Sequence, residues 1–328
     1  MKEKTLNRAD FLDTTLDRVD ASVASPSGFL FSFLSETSEA ANHEMKFHLA
    51  EQGQVTIPFV STRGKLGTSR THFLPINSVL SPDPADSSTT ANGIQKDFSA
   101  ALSELPRAGT QVLQINRYLQ DTANSCLAEA GFEPIGEEEF HYQNLPVTYD
   151  EWFAQKEVER YNIRKGEKEN LGVVFGQVEL LKSYYSLYEK SFQRWIKQGT
   201  AYSVLMPYSV FESLFALAPE QIFIYIASTA EQVPVAGAII SKLQKTASYN
   251  YGCFDSEYSK LRPVNFLHAR IIRDLIESRV AYYNMGFSGN LRGVQRFKEN
   301  MGGVSQKTML YKRDSSARRI LSRLKQSL

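Results

Sequence analysis

The stretch TASYNYGCFDSEYSKLRPVNFLHARIIRDLIESRVAYYNMGF, Thr246–Phe287, decides how the rest of the chain is read. It opens on a strand, Thr246–Phe254, in which Tyr249 and Tyr251 fall on one face and Asn250 and Gly252 on the other. A glycine inside a strand marks a bulge or the close approach of a ligand. A polar loop with Lys260 and Arg262 follows, and Pro263 stands where a first-turn proline is welcome. From there Val264, Leu267, His268, Ile271, Ile272, Leu275 and Ile276 recur at helical spacing, so an amphipathic helix spans Val264–Arg279. Val280–Phe287 is a second strand. A strand, a helix and a strand in this order make a β-α-β crossover.

Reading upstream, strands are expected at Ile222–Ser228 and Val233–Leu243, and helices at Glu157–Asn170, Val178–Ile196 and Tyr208–Leu217. Downstream come a short helix, Gly293–Asn300, a strand, Ser305–Arg313, and a basic amphipathic helix in the tail. Helices and antiparallel strands followed by a crossover predict an α/β (α+β) chain with a mixed sheet and helices on both its faces. The first half is less ordered to the eye. Gln54–Ser61 and Gln111–Leu119 have strand character, Ser78–Gly93 is a loop rich in Pro, Ser, Asp and Thr, and Cys126–Gly136 is a helix end stopped at Gly131 and followed by a strand. Pro146 and the helix-start residues after it place a domain boundary at 147. The expected organisation is therefore an N-terminal domain over 1–147, a second over 148–313 and a basic C-terminal helix over 314–328.

At 328 residues the chain suits two domains, and 42% hydrophobic with 22% charged residues excludes a disordered or collagen-like chain. A formal net charge of +1 argues against gripping a long nucleic acid, which calls for a basic excess. Cys126 and Cys253 have neither metal-site nor redox spacing, so both read as buried thiols of a reduced protein. The first 20 residues carry no apolar signal core, and no stretch approaches membrane-span length. The expectation is a cytoplasmic protein with no integral membrane segment and no metal.

Three stretches resemble the GNAT acyltransferase superfamily, and within it the FemAB/FemX branch of peptidoglycan-bridge aminoacyltransferases. They are the basic segment YNIRKGEKENLGVV (Tyr161–Val174), the tyrosine-rich YYSLYEKSFQRW (Tyr184–Trp195) and RFKENMGG (Arg296–Gly303). The resemblance spans about residues 148–313 and implies a GNAT acyltransferase domain there. By analogy it implies a degenerate GNAT-like domain before it, two tandem GNAT-like domains in all. The usual glycine loop that cradles the coenzyme A pyrophosphate is absent; SKLRPVNFLHA, Ser259–Ala269, stands in its place. Acyl-coenzyme A and aminoacyl-tRNA therefore both stay open as donor substrates, with the former leading and no permanently bound cofactor. The implied acceptor is a small-molecule or cell-wall-precursor amine, and a GNAT scaffold that binds without turnover is the rival class.

Residue by residue, Lys260, Arg262 and Asn265 at a helix start have the parts of an anion site for the donor, or are ordinary loop groups. His268 lies on the apolar stripe, as a hydrogen-bonded core residue or a proton acceptor. Tyr251 either steadies charge at the acyl carbonyl or packs under the sheet. Arg164 belongs to a cluster with Arg160, Lys165 and Lys168 that invites an anionic substrate, although like charges four apart also fit a solvated face. Arg194, Ser288 and Asn290 are further substrate-binding candidates, with Gly286 and Gly289 leaving room for a ligand. Lys298 follows the apolar anchor Phe297 and is carried to the margin of the buried face, just before a glycine cap at Met301–Gly303. The resemblance gives Lys298 a charge role at the donor end of the active site; a lysine covering the helix C-terminus is the other reading.

Overall fold

The computed structural model describes residues 4–6, 45–52, 55–63, 69–73, 91–105, 110–115, 117–199, 205–243, 245–289 and 291–315. In chain order, strands β1 (Lys4–Leu6), β2 (Met45–Gln52), β3 (Val55–Arg63) and β4 (Ser69–Phe73) precede helix α1 (Ala91–Glu104), β5 (Thr110–Ile115), α2 (Arg117–Glu129) and β6 (Glu133–Asn144). Then come α3 (Tyr149–Ala154), α4 (Glu157–Lys168), β7 (Gly172–Gly176), α5 (Leu181–Lys197), α6 (Tyr208–Leu217), β8 (Ile222–Ser228), β9 (Pro234–Leu243) and β10 (Thr246–Phe254). The chain continues with α7 (Pro263–Glu277), β11 (Tyr282–Phe287), α8 (Arg292–Asn300) and β12 (Val304–Asp314).

The chain divides into two compact units, one of residues 1–139 with 306–328, the other of 140–305. These units end at other residues than the boundaries expected from the sequence, and strand pairing is the reason. Phe140–Asn144 pair antiparallel with β11, so they belong with the second unit. Met309–Asp314 pair with β5, and buried Arg313 bonds Gln111 and the Ala130 carbonyl, so the last strand belongs with the first. The expected tail helix lies outside the described residues from 316 onward.

In the first unit, β1 to β4 form an antiparallel sheet in sequence order. Ile57, Phe98, Leu102, Leu105, Leu113, Leu127 and Tyr311 share one apolar core. Helix α1 was not foreseen, and the expected strand Gln111–Leu119 stops at Ile115, where α2 takes over from Arg117. The turn at Gly131, with φ 80°, ends α2 as expected.

The second unit is built on a mixed sheet of order β6-β11-β10-β9-β8-β7. β7 to β10 are antiparallel neighbours, and β11 joins β10 in parallel through α7. Helix α7 buries Leu267, Ile271, Ile272, Leu275 and Ile276 against one face of this sheet. Helix α5 packs β9 and β10 from the other, with Tyr184, Leu187, Tyr188 and Phe192 buried. α6 occupies Tyr208–Leu217 and β10 Thr246–Phe254, the residues read from the sequence. Helix α4 stops at Asn170 in the left-handed region, φ 53°, and not at Gly172, which already belongs to β7.

Candidate active site at the parting of β10 and β11

Residues Thr246, Ala247 and Ser248 pair with Tyr282, Tyr283 and Asn284, and there the parallel register of β10 with β11 ends. An extra residue sits at that point. Tyr249 faces Ile240 on β9 while Tyr251 faces Ile239, so Asn250 is a β-bulge, and its amide folds back onto Ser241 Oγ at 2.9 Å. The bulge corrects the sequence reading of this strand, because one inserted residue reverses the alternation beyond it. Tyr249 turns toward α7, where its ring lies 4.6 Å from the His268 ring. Tyr251 turns to the opposite face, among Phe211 (5.8 Å) and Tyr188 (6.4 Å). Gly252 leaves the space that the Tyr249 ring fills; a Cβ there would collide with it.

The outer end of β10 is held by α5. Ser191 Oγ donates to the Phe254 carbonyl and accepts from its N–H, both at 2.9 Å. Arg194 donates to the same carbonyl at 2.8 Å and lies over the Phe254 ring, and Lys190 pairs with Asp255 at 2.6 Å. Arg194, a substrate candidate in the sequence, thus anchors the end of β10 beyond its pairing with β11.

Across the gap, β11 has its own irregularity between Asn284 and Phe287. Gly286 has φ 77°, and a Cβ on it would come within 3.0 Å of the Tyr249 carbonyl oxygen, so the close approach of the strands requires glycine. Helix α8 lies over this point. Its C-terminus closes with Gly303 N–H on the Lys298 carbonyl and Gly302 N–H on that of Glu299, the paired bonds of a Schellman cap. Lys298 is 3% exposed, not marginal, and its Nζ donates to the carbonyls of Gly286 at 2.9 Å and Phe287 at 2.8 Å. The amine is therefore spent on β11 and not on the end of its own helix. Burial lowers its pKa from 10.5 to about 7.

His268 completes the row, between the rings of Tyr249 and Phe297 at 4.6 and 5.0 Å. It is a core residue as expected, but neither ring nitrogen has a hydrogen-bond partner. Burial, and then the nearby Lys298 charge, lower its pKa to about 3, so it is neutral here. Burial pushes the Tyr249 phenol up as well.

Two polar clusters adjoin this row that sequence spacing did not show. Ser288 Oγ and His141 Nδ1 lie 3.1 Å apart, 147 residues distant in sequence and both buried. Glu159, 3% exposed on α4, accepts from Asn162 at 3.1 Å, from Asn300 on α8 at 3.2 Å and from Asn265 on α7. That carboxylate gathers three helices and occupies the Asn265 amide that was a donor-binding candidate. Lys260 and Arg262 are exposed in the loop before α7, a 3₁₀ turn (Ser256–Leu261), and Arg262 takes a left-handed φ of 58°. Arg164 is exposed and reaches over the Phe153 ring, away from the row described. Asn290 lies outside the described residues. Among the described residues no cluster of His, Cys, Asp and Glu could hold a metal, and Cys126 and Cys253 are buried thiols outside any disulfide.

Residues 155–299 match the family model of the acetyltransferase (GNAT) domain. Among solved structures, the chain is similar to FemX at TM-score 0.65 and 12% identity, covering 94% of this chain and 97% of that one. It is similar to the C-terminal domain of a putative lysylphosphatidylglycerol synthetase from Agrobacterium fabrum at TM-score 0.55 and 12% identity, covering 94% and 93%. A tandem GNAT protein from the clavulanic acid biosynthesis pathway follows at TM-score 0.54 and 9% identity, covering 96% and 98%. At such identities these likenesses are of fold. No curated protein matches the sequence. The match of residues 155–299 to the GNAT domain and the likeness to FemX thus agree on a GNAT-like fold.

Proposed function

We propose that the protein is an N-acyltransferase that moves an acyl group from acyl-coenzyme A to an amine by direct attack, in the cytoplasm, with Lys298 at the reacting centre. The observation that carries this reading is the parting of β10 from β11 with a buried amine held at the parting. A parted strand pair offers an extended acyl arm two backbones to lie between. The acceptor amine attacks the thioester carbon, a C–N bond forms, and the C–S bond breaks with its electron pair leaving on sulfur.

An ammonium has three N–H donors. Two of those on Lys298 go to Gly286 and Phe287, which leaves the third for a further acceptor. A donor fixed in this way, in a dry site, stabilises the oxyanion of the tetrahedral intermediate without having to reorganise. Tyr251 looks to the opposite face and has no part in this step. Lys260, Arg262 and the first turn of α7 are the groups that would meet the donor's phosphates, and Ser288 stands on the acceptor side.

A second reading takes aminoacyl-tRNA as donor and a peptidoglycan-precursor amine as acceptor. It is favoured by the loop before α7, three of whose amides are already engaged. Glu257 N–H bonds the Asp255 carboxylate, Tyr258 N–H the Asp255 carbonyl and Arg262 N–H the Ser259 carbonyl, so no open glycine cradle awaits a pyrophosphate. Single-turnover reactions with radiolabelled acyl-coenzyme A and with charged tRNA pools, over a panel of amines, separate the two. Transfer from the thioester is the expected result, and transfer from the tRNA ester alone selects the second. Transfer from neither, with donor binding retained, overturns both and leaves a binding scaffold.

A further inference from the structure

The reaction needs a destination for the proton that the amine loses, and Lys298, with two of its hydrogens on β11, is arranged as a donor. His141 lies on β6 between Phe140 and Tyr142, which pair with Phe287 and Asn284, so it faces the irregular step of β11. A Cβ placed on Gly303 would lie 3.1 Å from His141 Cβ, 3.0 Å from Met285 Sδ and 3.0 Å from the Lys298 carbonyl oxygen, which puts the histidine under the end of α8. Ser288 follows Phe287, whose carbonyl holds Lys298 Nζ, and its Oγ meets His141 Nδ1 at 3.1 Å. The serine is 4% exposed and the histidine not at all, so Ser288 is the outer member of the pair.

We propose that Ser288 and His141 form the proton relay of acyl transfer, with Ser288 meeting the acceptor amine and His141 acting through it. This rests on the acyl-transfer reading and adds the base that the reading lacks. A serine hydroxyl is by itself too weak a base, but it can take a proton while giving up its own. The relay uses the histidine tautomer with its proton on Nε2, leaving Nδ1 to accept from Ser288 Oγ. As the C–N bond forms, the amine proton passes to Ser288 Oγ and the Ser288 proton to His141 Nδ1. The imidazolium appears together with the oxyanion and the charge on Lys298 Nζ. When the leaving group departs as thiolate, or as alkoxide from an ester, the same protons return to it through Ser288, and the pair is reset. Amine and acyl donor become amide and thiol or alcohol, with no oxidant or further reactant.

The test is single-turnover acylation by the full chain, comparing wild type with Ser288→Ala, His141→Gln and the double variant. General-base relays contribute about 10²–10⁴-fold, so each single variant is expected to slow the chemical step by about 100-fold or more with donor binding unchanged. The double variant is expected to be no slower than the slower single, because the two act as a unit. In mixtures of light and heavy water, the wild-type rate is expected to curve with deuterium fraction, as two protons in flight require, and to become linear in Ser288→Ala. Singles within about threefold of wild type, losses that multiply in the double variant, or a linear wild-type plot would overturn the relay. Should the variants melt early, the wild-type isotope plot decides alone. Wild-type transfer from no donor at all overturns the acyl-transfer reading and the relay with it.

Discussion

The two faces of β10 are both packed, yet they are filled by opposite means. Toward α5 and α6, Tyr251 joins Tyr188, Phe211 and Tyr184 in edge-on contacts, a cluster whose stability comes from apolar area and ring geometry. Toward α7 and α8, Tyr249 and Phe297 enclose a histidine without partners and stand beside a lysine whose charge burial disfavours. One face holds the strand in place; the other stores ionisable groups in conformations they would not choose in water. A single bulge at Asn250 separates the two.

If that division is right, acid should break one face and not the other, and this is the largest effect expected. The native His268 pKa of about 3 lies below the ordinary 6.5, so between these values the unfolded chain binds a proton that the folded one refuses. Its contribution is whole above pH 6.5 and is lost as pH falls toward 3, about 5 kcal/mol over the window at 1.36 kcal/mol per unit. Urea unfolding of wild type and His268→Phe at pH 7 and pH 4 checks it; equal acid sensitivity in the two proteins sinks it.

On the aromatic face, Phe211→Ala should cost about 3–5 kcal/mol of stability, as for large buried rings, and leave the single-turnover rate of the folded fraction unchanged. A fall in that rate would show that the faces are coupled. Lys298→Met should do the reverse, slowing transfer about 10²–10³-fold, worth about 2.7–4 kcal/mol in the transition state, without lowering the melting temperature at pH 7. With a native pKa of about 7 against 10.5, the lysine costs stability progressively as pH falls from 10.5 to 7, and Lys298→Met should abolish that slope. The smallest effect is expected of Glu159→Gln. Its remaining oxygen still serves Asn162 and Asn265, and Asn300 can turn its amide over, so about 1 kcal/mol is lost. A loss of transfer far larger than that of stability would mean that the carboxylate positions α8.

The sequence made one of these faces more readable than the other. Helical spacing of Tyr184, Tyr188 and Phe192 found the aromatic face, and the stripe on α7 found the wall opposite, because apolar burial repeats with the backbone period. The position of Lys298 beside an apolar anchor and a glycine cap was legible too, but its burial was not. A lysine reads as solvent-facing until two carbonyls at a strand irregularity are known to receive it. The Asn250 bulge could not be read, since it exists only relative to Ile239 and Ile240 on the neighbouring strand. His141 with Ser288, and Glu159 with Asn265 and Asn300, are joined across 147, 106 and 141 positions, distances over which spacing carries no signal. A buried charged residue inside a helix rich in Lys and Arg, as Glu159 is, was the one available hint.

The sheet order carries a kinetic consequence. β7 to β10 pair within one connected run of chain, whereas β11 must find Phe140–Asn144 across roughly half the sequence before Tyr282 can face Asn144. Loop-closure entropy makes the local ribbon the earlier structure and the β11–β6 docking the later one. Ser288 and His141 meet at that late seam, and Lys298 is bonded to β11 beside it. In native-state hydrogen exchange, the amides of β8 and β9 should open only with global unfolding, while those of β11 should open in a smaller excursion that dismantles the acyl-transfer site and spares the ribbon.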